Sequence, residues 1–268
     1  LYGRPPRLTS ALVVGISQSG GSPDIVEVVA EGRRQGAMTL AITNNLESPL
    51  AAAADLALSV HAGEERAVAA TKTYTAQLAA LALLAVALSG DSAMWEELKA
   101  LPGQVERALK LAPEVAQRVE RYRYMDHCVL IGRGYNYPTA LEIALKLKEL
   151  AYVVAESYSS ADFLHGPIAI IDSGFPAILI APHGAVYDDL LTLARELRQR
   201  GAELVVISDR AEALSLAQTP LPLPEGVPEW LSPVVAVVPG QLFAAALTRT
   251  MGHDLDQPRG LRKVTRTI

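Results

Sequence analysis

Short apolar runs alternate with amphipathic segments along most of the chain. Runs of about four to eight apolar residues are typical of buried strands. We predict strands at 11–16, 38–43, 54–60, 127–132, 175–181, 203–208 and 233–238. Helical spacing predicts helices at 23–35, 139–153, 188–200 and 240–251, and a long helix that reaches Leu88. Strands that alternate with helices indicate an α/β fold in which helices cover parallel sheets.

The chain contains an internal repeat with an offset of 165 residues. With this offset, residues 12–43 align with 177–208 without a gap, and Asp24, Glu31 and Arg33 meet identical residue types. Two copies of one α/β unit are therefore predicted. The strand, turn and helix at 127–150 have no counterpart in the first copy. We therefore expect the first domain to lack its N-terminal strand and helix in this chain.

The repeat and the change of pattern between its copies predict four regions. Residues 93–122 combine helical spacing with many charges, which indicates connecting helices broken near Pro102–Gly103 and Pro113. The predicted regions are a first domain (1–92), the connecting helices (93–122), a second domain (123–252) and a C-terminal tail or lid (253–268). Within the second domain, 157–167 is predicted to be a loop.

A hydroxyl-rich loop joins the first strand to a helix that Pro23 opens. The loop carries Ser17, Gln18, Ser19 and Ser22. Backbone N–H groups and the positive end of the helix dipole favour an anion of phosphate size at such a junction. An ordinary strand–turn–helix junction with capping serines is the alternative. The second copy has Pro, His and Gly at 182–184 in place of the Ser-Gln-Ser sequence, so we expect one anion site per chain.

Glu142, Lys146 and Glu149 lie at positions i, i+4 and i+7 of a predicted helix and share one face. One interpretation is a solvated face, on which a Glu–Lys pair contributes about 0.3–0.5 kcal/mol. The other is a carboxylate poised by a lysine to move a proton between adjacent carbons. His165, in a turn, is either a packing residue or an acid–base group that opens a sugar ring. Lys263 belongs to a basic tail that is either a frayed terminus or a lid over an anionic substrate.

Composition excludes several classes of function. A formal net charge of −5 without a basic stripe argues against nucleic acid and anionic membrane surfaces as partners. The one cysteine, Cys128, is typical of a protein of the reducing cytoplasm. The apolar run around 78–88 is too short to span a bilayer. Neither metal-ligand spacing nor a Gly-rich nucleotide motif is present.

Five motifs occur along the chain: SQSGGSPD (17–24), VAATK (68–72), GRGYNYPTALEIALKLKE (132–149), HGP (165–167) and DQPRGLRKV (256–264). With them the chain resembles the double SIS-domain (sugar isomerase) phosphosugar isomerases. This family includes the isomerase half of glutamine–fructose-6-phosphate aminotransferase, also called glucosamine-6-phosphate synthase, and stand-alone glucosamine-6-phosphate deaminases. The resemblance covers essentially the whole chain. It implies two tandem three-layer αβα, Rossmann-like SIS domains with parallel sheets.

The resemblance also implies roles for individual residues. Phosphate binding falls to Ser17, Gln18, Ser19, Ser22 and the backbone of Val68. Glu149 is the implied base that moves a proton between C1 and C2, and Lys146 lies beside it. His165 is expected to help open the ring and to reach the site of the neighbouring subunit in a homodimer. Lys263 is expected on a lid near the sugar, where it forms an imine; no cofactor or metal is implied.

The resemblance implies a hexose 6-phosphate or an amino-hexose 6-phosphate as the substrate. VAATK and the residues around His165 are more similar to the stand-alone members, and this chain shows no glutaminase domain. We therefore predict a glucosamine-6-phosphate deaminase that forms fructose 6-phosphate and ammonia. The alternatives are an aminotransferase-related isomerase that uses external ammonia, and a non-catalytic module that senses phosphosugars.

Overall fold

The computed structural model describes residues 4–261 and residue 263, which form two compact units. Among the described residues, unit 1 comprises 4–89, 259–261 and 263. Unit 2 comprises Gly90–Pro258. The segment 93–122, predicted to connect two domains, lies in unit 2, and the predicted tail is divided between the units after Pro258.

Unit 1 is built on a three-stranded parallel sheet. Its elements are β1 (Leu12–Ser17), α1 (Pro23–Arg34), β2 (Met38–Thr43), α2 (Pro49–Ala53), β3 (Leu56–Ser59) and α3 (Lys72–Ser89). The strands lie in the order β1-β2-β3, with Ser17 paired to Thr43 and Thr43 paired to Ser59. The loops that follow the three strands therefore emerge at one edge of the sheet, where open α/β sheets bind ligands.

Unit 2 is built on a five-stranded parallel sheet in the order β5-β4-β6-β7-β8. Its elements are α4 (Ser92–Leu109), α5 (Ala112–Arg118), β4 (His127–Gly132), α6 (Tyr137–Lys146), β5 (Val154–Ser159), α7 (Ser160–Leu164), β6 (Pro176–Ile180), α8 (Tyr187–Gln199), β7 (Glu203–Ser208), α9 (Ala211–Leu214), β8 (Thr219–Pro222) and α10 (Ser232–Thr250). Helix α6 packs against β4, β5 and α10. Helix α10 also packs against α4 and α5.

The predicted α/β fold with parallel sheets is confirmed. With the offset of 165, β1, α1 and β2 of unit 1 match β6, α8 and β7 of unit 2. The predicted strands at 127–132 and 203–208 coincide with β4 and β7, and the long helix reaches Ser89. Within the described residues of unit 1, β4, α6 and β5 have no counterpart.

The prediction of a strand at 233–238 is wrong, because these residues form the first turns of α10. Nearly every residue from Ser232 to Gly240 is buried, so the helix is apolar on all sides and shows no helical period. Pro233 stands in the first turn, where a missing N–H costs nothing. The last strand of the sheet is instead β8, in the proline-rich stretch, because an edge strand tolerates proline.

Two further predictions need correction. Helix α4 continues through Pro102 and Gly103. It ends only at Leu109, and residues 110–111 connect it to α5. A proline inside a helix costs about 3 kcal/mol. Burial of Leu101 and Ala108, on the helix that packs against α10, offsets this cost. The predicted loop at 157–167 contains the end of β5 and all of α7, since β5 is a polar edge strand without an apolar run.

Two helical segments have the length and composition of a membrane span: Lys72–Ser89, with a mean hydropathy of 1.3, and Glu229–Thr250, with 1.6. The second is 78% buried within the structure, as expected for the core helix of a globular unit. The first is 17% buried. The apolar run at 78–88, expected to be too short to span a bilayer, thus lies in a helix that has the length for it. Length and composition alone are weak evidence for a membrane segment.

Candidate active site

The predicted anion loop follows β1 and ends at the first turn of α1. The Ser17 Oγ accepts a hydrogen bond from the Gly20 N–H at 3.2 Å, and the Ser19 Oγ accepts one from the Gly21 N–H at 3.3 Å. Ser22 takes the N-cap position of α1, but its side chain makes no capping hydrogen bond. Each hydroxyl therefore retains its own O–H as a donor at the positive end of α1.

Gly20 allows this loop to approach the start of α2. Its φ is +65°, and a Cβ at this position would stand 2.1 Å from the Ser48 Oγ. The Gln18 carbonyl accepts hydrogen bonds from the Asn44 N–H at 3.1 Å and the Thr43 hydroxyl at 3.3 Å. The end of β2 thus holds the backbone of the serine loop in place.

A second loop of unit 1, between β3 and α3, contains Val68. The Glu65 carboxylate accepts hydrogen bonds from the Thr73 N–H at 3.1 Å and from the Thr73 hydroxyl at 2.7 Å. Glu65 therefore satisfies a free N–H in the first turn of α3 and fixes the loop that leads to Val68.

Lys263 lies against this second loop. Its ammonium donates a hydrogen bond to the carbonyl of Ala67, the residue before Val68. Lys72 donates to the Glu64 carbonyl at 2.5 Å, so two lysines bind the backbone of the same loop. The prediction that Lys263 lies on a lid near the sugar stays a prediction.

The predicted acid–base cluster is a tightly packed group in unit 2. The Lys146 Nζ lies 2.6 Å from the Glu149 Oε2 and 3.8 Å from the Glu142 Oε1. Lys146 is 3% exposed and Glu142 8%, whereas the Glu149 side chain is 25% exposed. The interpretation of a solvated face is therefore wrong for Lys146 and Glu142, and Glu149 is the member of the group that solvent can reach.

Glu149 lies on a π-helical turn that continues helix α6. The predicted helix ends as an α-helix at Lys146 and continues as a π-helical turn over Leu147–Ala151. Tyr152, with φ of +58°, ends the turn in the left-handed region. Single π turns are frequent at functional sites because they displace one side chain from the regular helical face.

Burial dominates the electrostatics of Glu142. It raises the pKa of the Glu142 carboxyl from 4.5 to about 7, while the Lys146 ammonium and a hydrogen bond from Gln241 act in the opposite direction. The Gln241 Nε2 lies on α10, 3.5 Å from the Glu142 Oε1. The sequence signal for Gln241 was weak, because only tertiary packing brings α10 to α6.

His165 ends α7, and its side chain is exposed. Its backbone N–H donates to the Asp162 carbonyl at 3.2 Å, and among the described residues its imidazole makes no hydrogen bond. Within unit 1 the structure brings Lys263 to the loop of Val68. Within unit 2 it brings Lys146 and Glu149 together, and the His165 imidazole makes no hydrogen bond to either of them.

Two segments of the chain, 9–87 and 123–247, match the model of the SIS domain. Together they span well over half of the described residues and coincide with the cores of the two sheets. The chain belongs to the SIS domain family. The resemblance inferred from the five motifs is confirmed.

Several relatives of this SIS-domain chain carry the name glutamine–fructose-6-phosphate aminotransferase (isomerizing). The protein of Thermus thermophilus is 40% identical over 98% of this chain and 45% of its own length. That of Thermococcus kodakarensis is 40% identical over 94% of this chain and 43% of its own length. The chain therefore spans less than half the length of these relatives.

Solved structures show the same fold. The C-terminal domain of glucosamine-fructose-6-phosphate aminotransferase from Francisella tularensis has a TM-score of 0.87 at 34% identity, over 92% of this chain and 73% of that one. The glucosamine-6-phosphate deaminase of Thermotoga maritima has a TM-score of 0.82 at 24% identity, over 96% of this chain and 75% of that one. The second likeness concerns the fold alone.

The described part of the chain contains no group of three or more His, Cys, Asp or Glu side chains placed to hold a metal ion. Cys128 is buried in β4, and burial raises the pKa of its thiol to about 12.

Proposed function

We propose that this SIS-domain chain is a phosphosugar isomerase that moves a proton between C1 and C2 of a hexose 6-phosphate. The observation that carries the proposal is the ion pair of Lys146 with the partly exposed Glu149 on a π turn. A carboxylate beside a fixed ammonium, open to solvent, is suited to take a proton from one carbon and return it to the next.

The remaining residues supply binding and ring opening in this proposal. Ser17, Gln18, Ser19 and Ser22 bind the phosphate with the backbone of Val68, and this remote binding positions the reacting carbons. His165 opens the sugar ring in the site of a neighbouring copy, which accounts for its exposed imidazole. Lys263 forms an imine at C2: in the deaminating direction its amine displaces ammonia from the C2 imine, and water then hydrolyses the lysine imine to the ketone and free Lys263.

Glucosamine 6-phosphate is the substrate proposed for the deaminating direction. Glu149 removes the proton from C2 of the open-chain aldehyde and returns it to C1. The product of this transfer is an imine at C2. Lys263 displaces its nitrogen as ammonia, and water hydrolyses the resulting lysine imine to fructose 6-phosphate. All atoms balance without an oxidant or a cofactor.

The aminating direction is the second candidate, and the 40% identity to relatives named as aminotransferases favours it. With free ammonia it is the same reaction in reverse, so the same residues serve both directions. A module that binds phosphosugars without turnover is the third candidate. The pairing of Glu149 with Lys146, which suits a catalytic base, argues against it.

The test is incubation of the full-length protein with glucosamine 6-phosphate, with ammonia and fructose 6-phosphate measured together. Equal amounts of both products are expected. The variant E149Q should lose at least about a hundredfold in turnover but should bind the sugar phosphate as the wild type does. The matched control is E156Q, at an exposed glutamate of β5. Full turnover by E149Q would exclude Glu149 as the base, and binding without turnover by the wild type would favour the sensing module.

A further inference from the structure

A line of polar contacts leads from α10 to the proposed base. The Gln241 Nε2 donates to the Glu142 Oε1 at 3.5 Å, and the same oxygen lies 3.8 Å from the Lys146 Nζ. Lys146 in turn donates to the Glu149 Oε2 at 2.6 Å. Glu142 and Gln241 have no part in the function proposed above. Glu142 contacts Lys146 directly, and Gln241 contacts Glu142.

This geometry places one buried ammonium between two carboxylates. With both carboxylates ionised, the group carries a net negative charge in a largely buried setting, which burial disfavours. With Glu142 protonated, Lys146 and Glu149 form a neutral pair. The protonation of Glu142 therefore decides whether Lys146 is shared by two carboxylates or serves Glu149 alone.

We propose that Glu142 and Gln241 are positioning residues that set the basicity of Glu149 through Lys146. The inference rests on the proposed function, in which Glu149 is the base. When Glu142 loses its proton, it attracts the Lys146 ammonium and weakens the hold of that ammonium on Glu149. Glu149 then becomes a stronger base. The Gln241 amide, as a donor to the Glu142 oxygen, favours the ionised form of Glu142.

Few titratable or charged groups act on the Glu142 carboxyl from the elements that pack against α6. The groups that act on the Glu142 carboxyl are Lys146 on its own helix, Glu149 on the π turn and Gln241 on α10. The remaining titratable or charged residues of α6, β4, β5, α10, the π turn and the turn before α6 are His127, Cys128, Tyr135, Tyr137, Lys148, Glu156, Tyr158 and Arg249. Five of these eight are exposed, Tyr137 and Tyr158 are half-buried, and the buried Cys128 thiol is neutral at physiological pH.

The test is the pH profile of kcat/KM between pH 5.5 and 9 for the wild type, E142Q and Q241M. Burial places the pKa of Glu142 near 7, so wild-type kcat/KM should rise by up to about tenfold between pH 6 and pH 8. E142Q should change by less than about twofold over the same interval. Q241M should keep the rise but shift it to higher pH by about half a unit, because the donor to ionised Glu142 is lost.

The matched control is Q104M on α4. The Gln104 Nε2 also makes a 3.5 Å hydrogen bond, but its acceptor is the Gly226 carbonyl, which does not titrate. Q104M should therefore leave the midpoint of the profile unchanged even if it lowers stability as much as Q241M. The proposal is overturned if E142Q keeps the wild-type profile, or if Q241M behaves as Q104M does.

A second measurement separates this inference from the proposed function. Carboxyl ¹³C NMR of the free protein should show Glu142 titrating near pH 7, and the Glu149 signal should shift in the same interval. E142Q should abolish that shift of Glu149. If the wild type has no turnover, the proposed function fails and the NMR titration still decides the coupling. If Glu149 shows no shift near pH 7, the coupling is refuted whatever the activity.

Discussion

Burial of Glu142 links the protonation of one side chain to the stability of the fold. The pKa of this carboxyl lies near 7 in the folded chain, above its ordinary value of 4.5. The folded state therefore retains a proton that the unfolded state releases. The contribution of Glu142 to stability is fully present below pH 4.5 and is lost as the pH rises towards 7.

The variant E142Q should remove this dependence. Between pH 4.5 and pH 7.5, the burial of Glu142 should cost the wild type up to about 3 kcal/mol in free energy of unfolding, since each pKa unit corresponds to about 1.4 kcal/mol. E142Q should not show this loss. Urea denaturation at a series of pH values measures the difference. E156Q, at an exposed position of β5, should follow the wild type. An equal pH dependence in E142Q and the wild type would contradict the account of a buried, protonated carboxyl.

At the same scale, some residues of the site could be predicted and others could not. The serine loop and the face shared by Lys146 and Glu149 follow from local spacing, which a sequence displays directly. Lys146 and Glu142 are nearly fully buried on a helix that packs against α10. Gln241 of α10, which contacts Glu142, lies 99 residues later in the chain. Local spacing carries no information on such a packing partner.

At the scale of elements, α6 and α10 pack most closely at Gly240. A Cβ at Gly240 would stand 2.2 Å from the Ile143 Cδ1 and 2.4 Å from its Cγ1. Ile143 is fully buried and cannot move aside into solvent. Because Gly240 precedes Gln241, the same contact sets the distance from Gln241 to Glu142.

G240A should therefore lower the free energy of unfolding by about 1–3 kcal/mol through overpacking. The matched control is G103A in α4, where a Cβ meets nothing closer than the Arg107 side chain at 3.8 Å. G103A should stabilise by up to about 1 kcal/mol, because alanine has the higher helix propensity. The double variant G240A/I143A should lose less than the sum of its single variants. Additive losses would show that the two side chains do not compete for space.

The burial pattern of an element decides how well the sequence predicts it. Central strands such as β4 and β7 are continuous apolar runs, so the sequence predicts them closely. The edge strands β5 and β8 are polar or proline-rich, so they lack the apolar run of a buried strand. The first turns of α10 are apolar on all sides, so they lack the period of an amphipathic helix. The errors in strand prediction therefore fall at the edges of the sheet and in the largely buried α10. The break predicted at Pro102 fails for another reason, since α4 continues through this proline while packing against α10.

At the scale of the whole molecule, the internal repeat explains why one anion loop is expected per chain. In unit 2 the loop equivalent to the serine loop uses its donors internally, since the Glu229 carboxylate accepts the Ala185 N–H at 2.9 Å. Its His183 binds the Asp209 carboxylate through both the backbone N–H and the Nδ1. A protein carboxylate thus holds the position at which a ligand anion is proposed in unit 1.

The proposed homodimer makes a prediction of its own. E149Q and H165A should each be inactive alone. If His165 serves the neighbouring copy, a dimer with one subunit of each variant contains one site with both native residues. Random reassociation of an equal mixture should then restore about a quarter of wild-type activity, because about half of the dimers are mixed and half of their sites are intact. An inactive mixture that contains mixed dimers would show that His165 serves its own subunit.

The central claim is that Glu149 moves a proton between C1 and C2, and hydrogen exchange tests it without regard to nitrogen or direction. Fructose 6-phosphate is incubated in D₂O with the wild type or E149Q, and ¹H NMR follows the C1 hydrogens. The wild type should replace a C1 hydrogen by deuterium or form glucose 6-phosphate, at least about a hundredfold faster than E149Q. Equal rates for the two proteins, with the sugar phosphate bound by both, would contradict the claim.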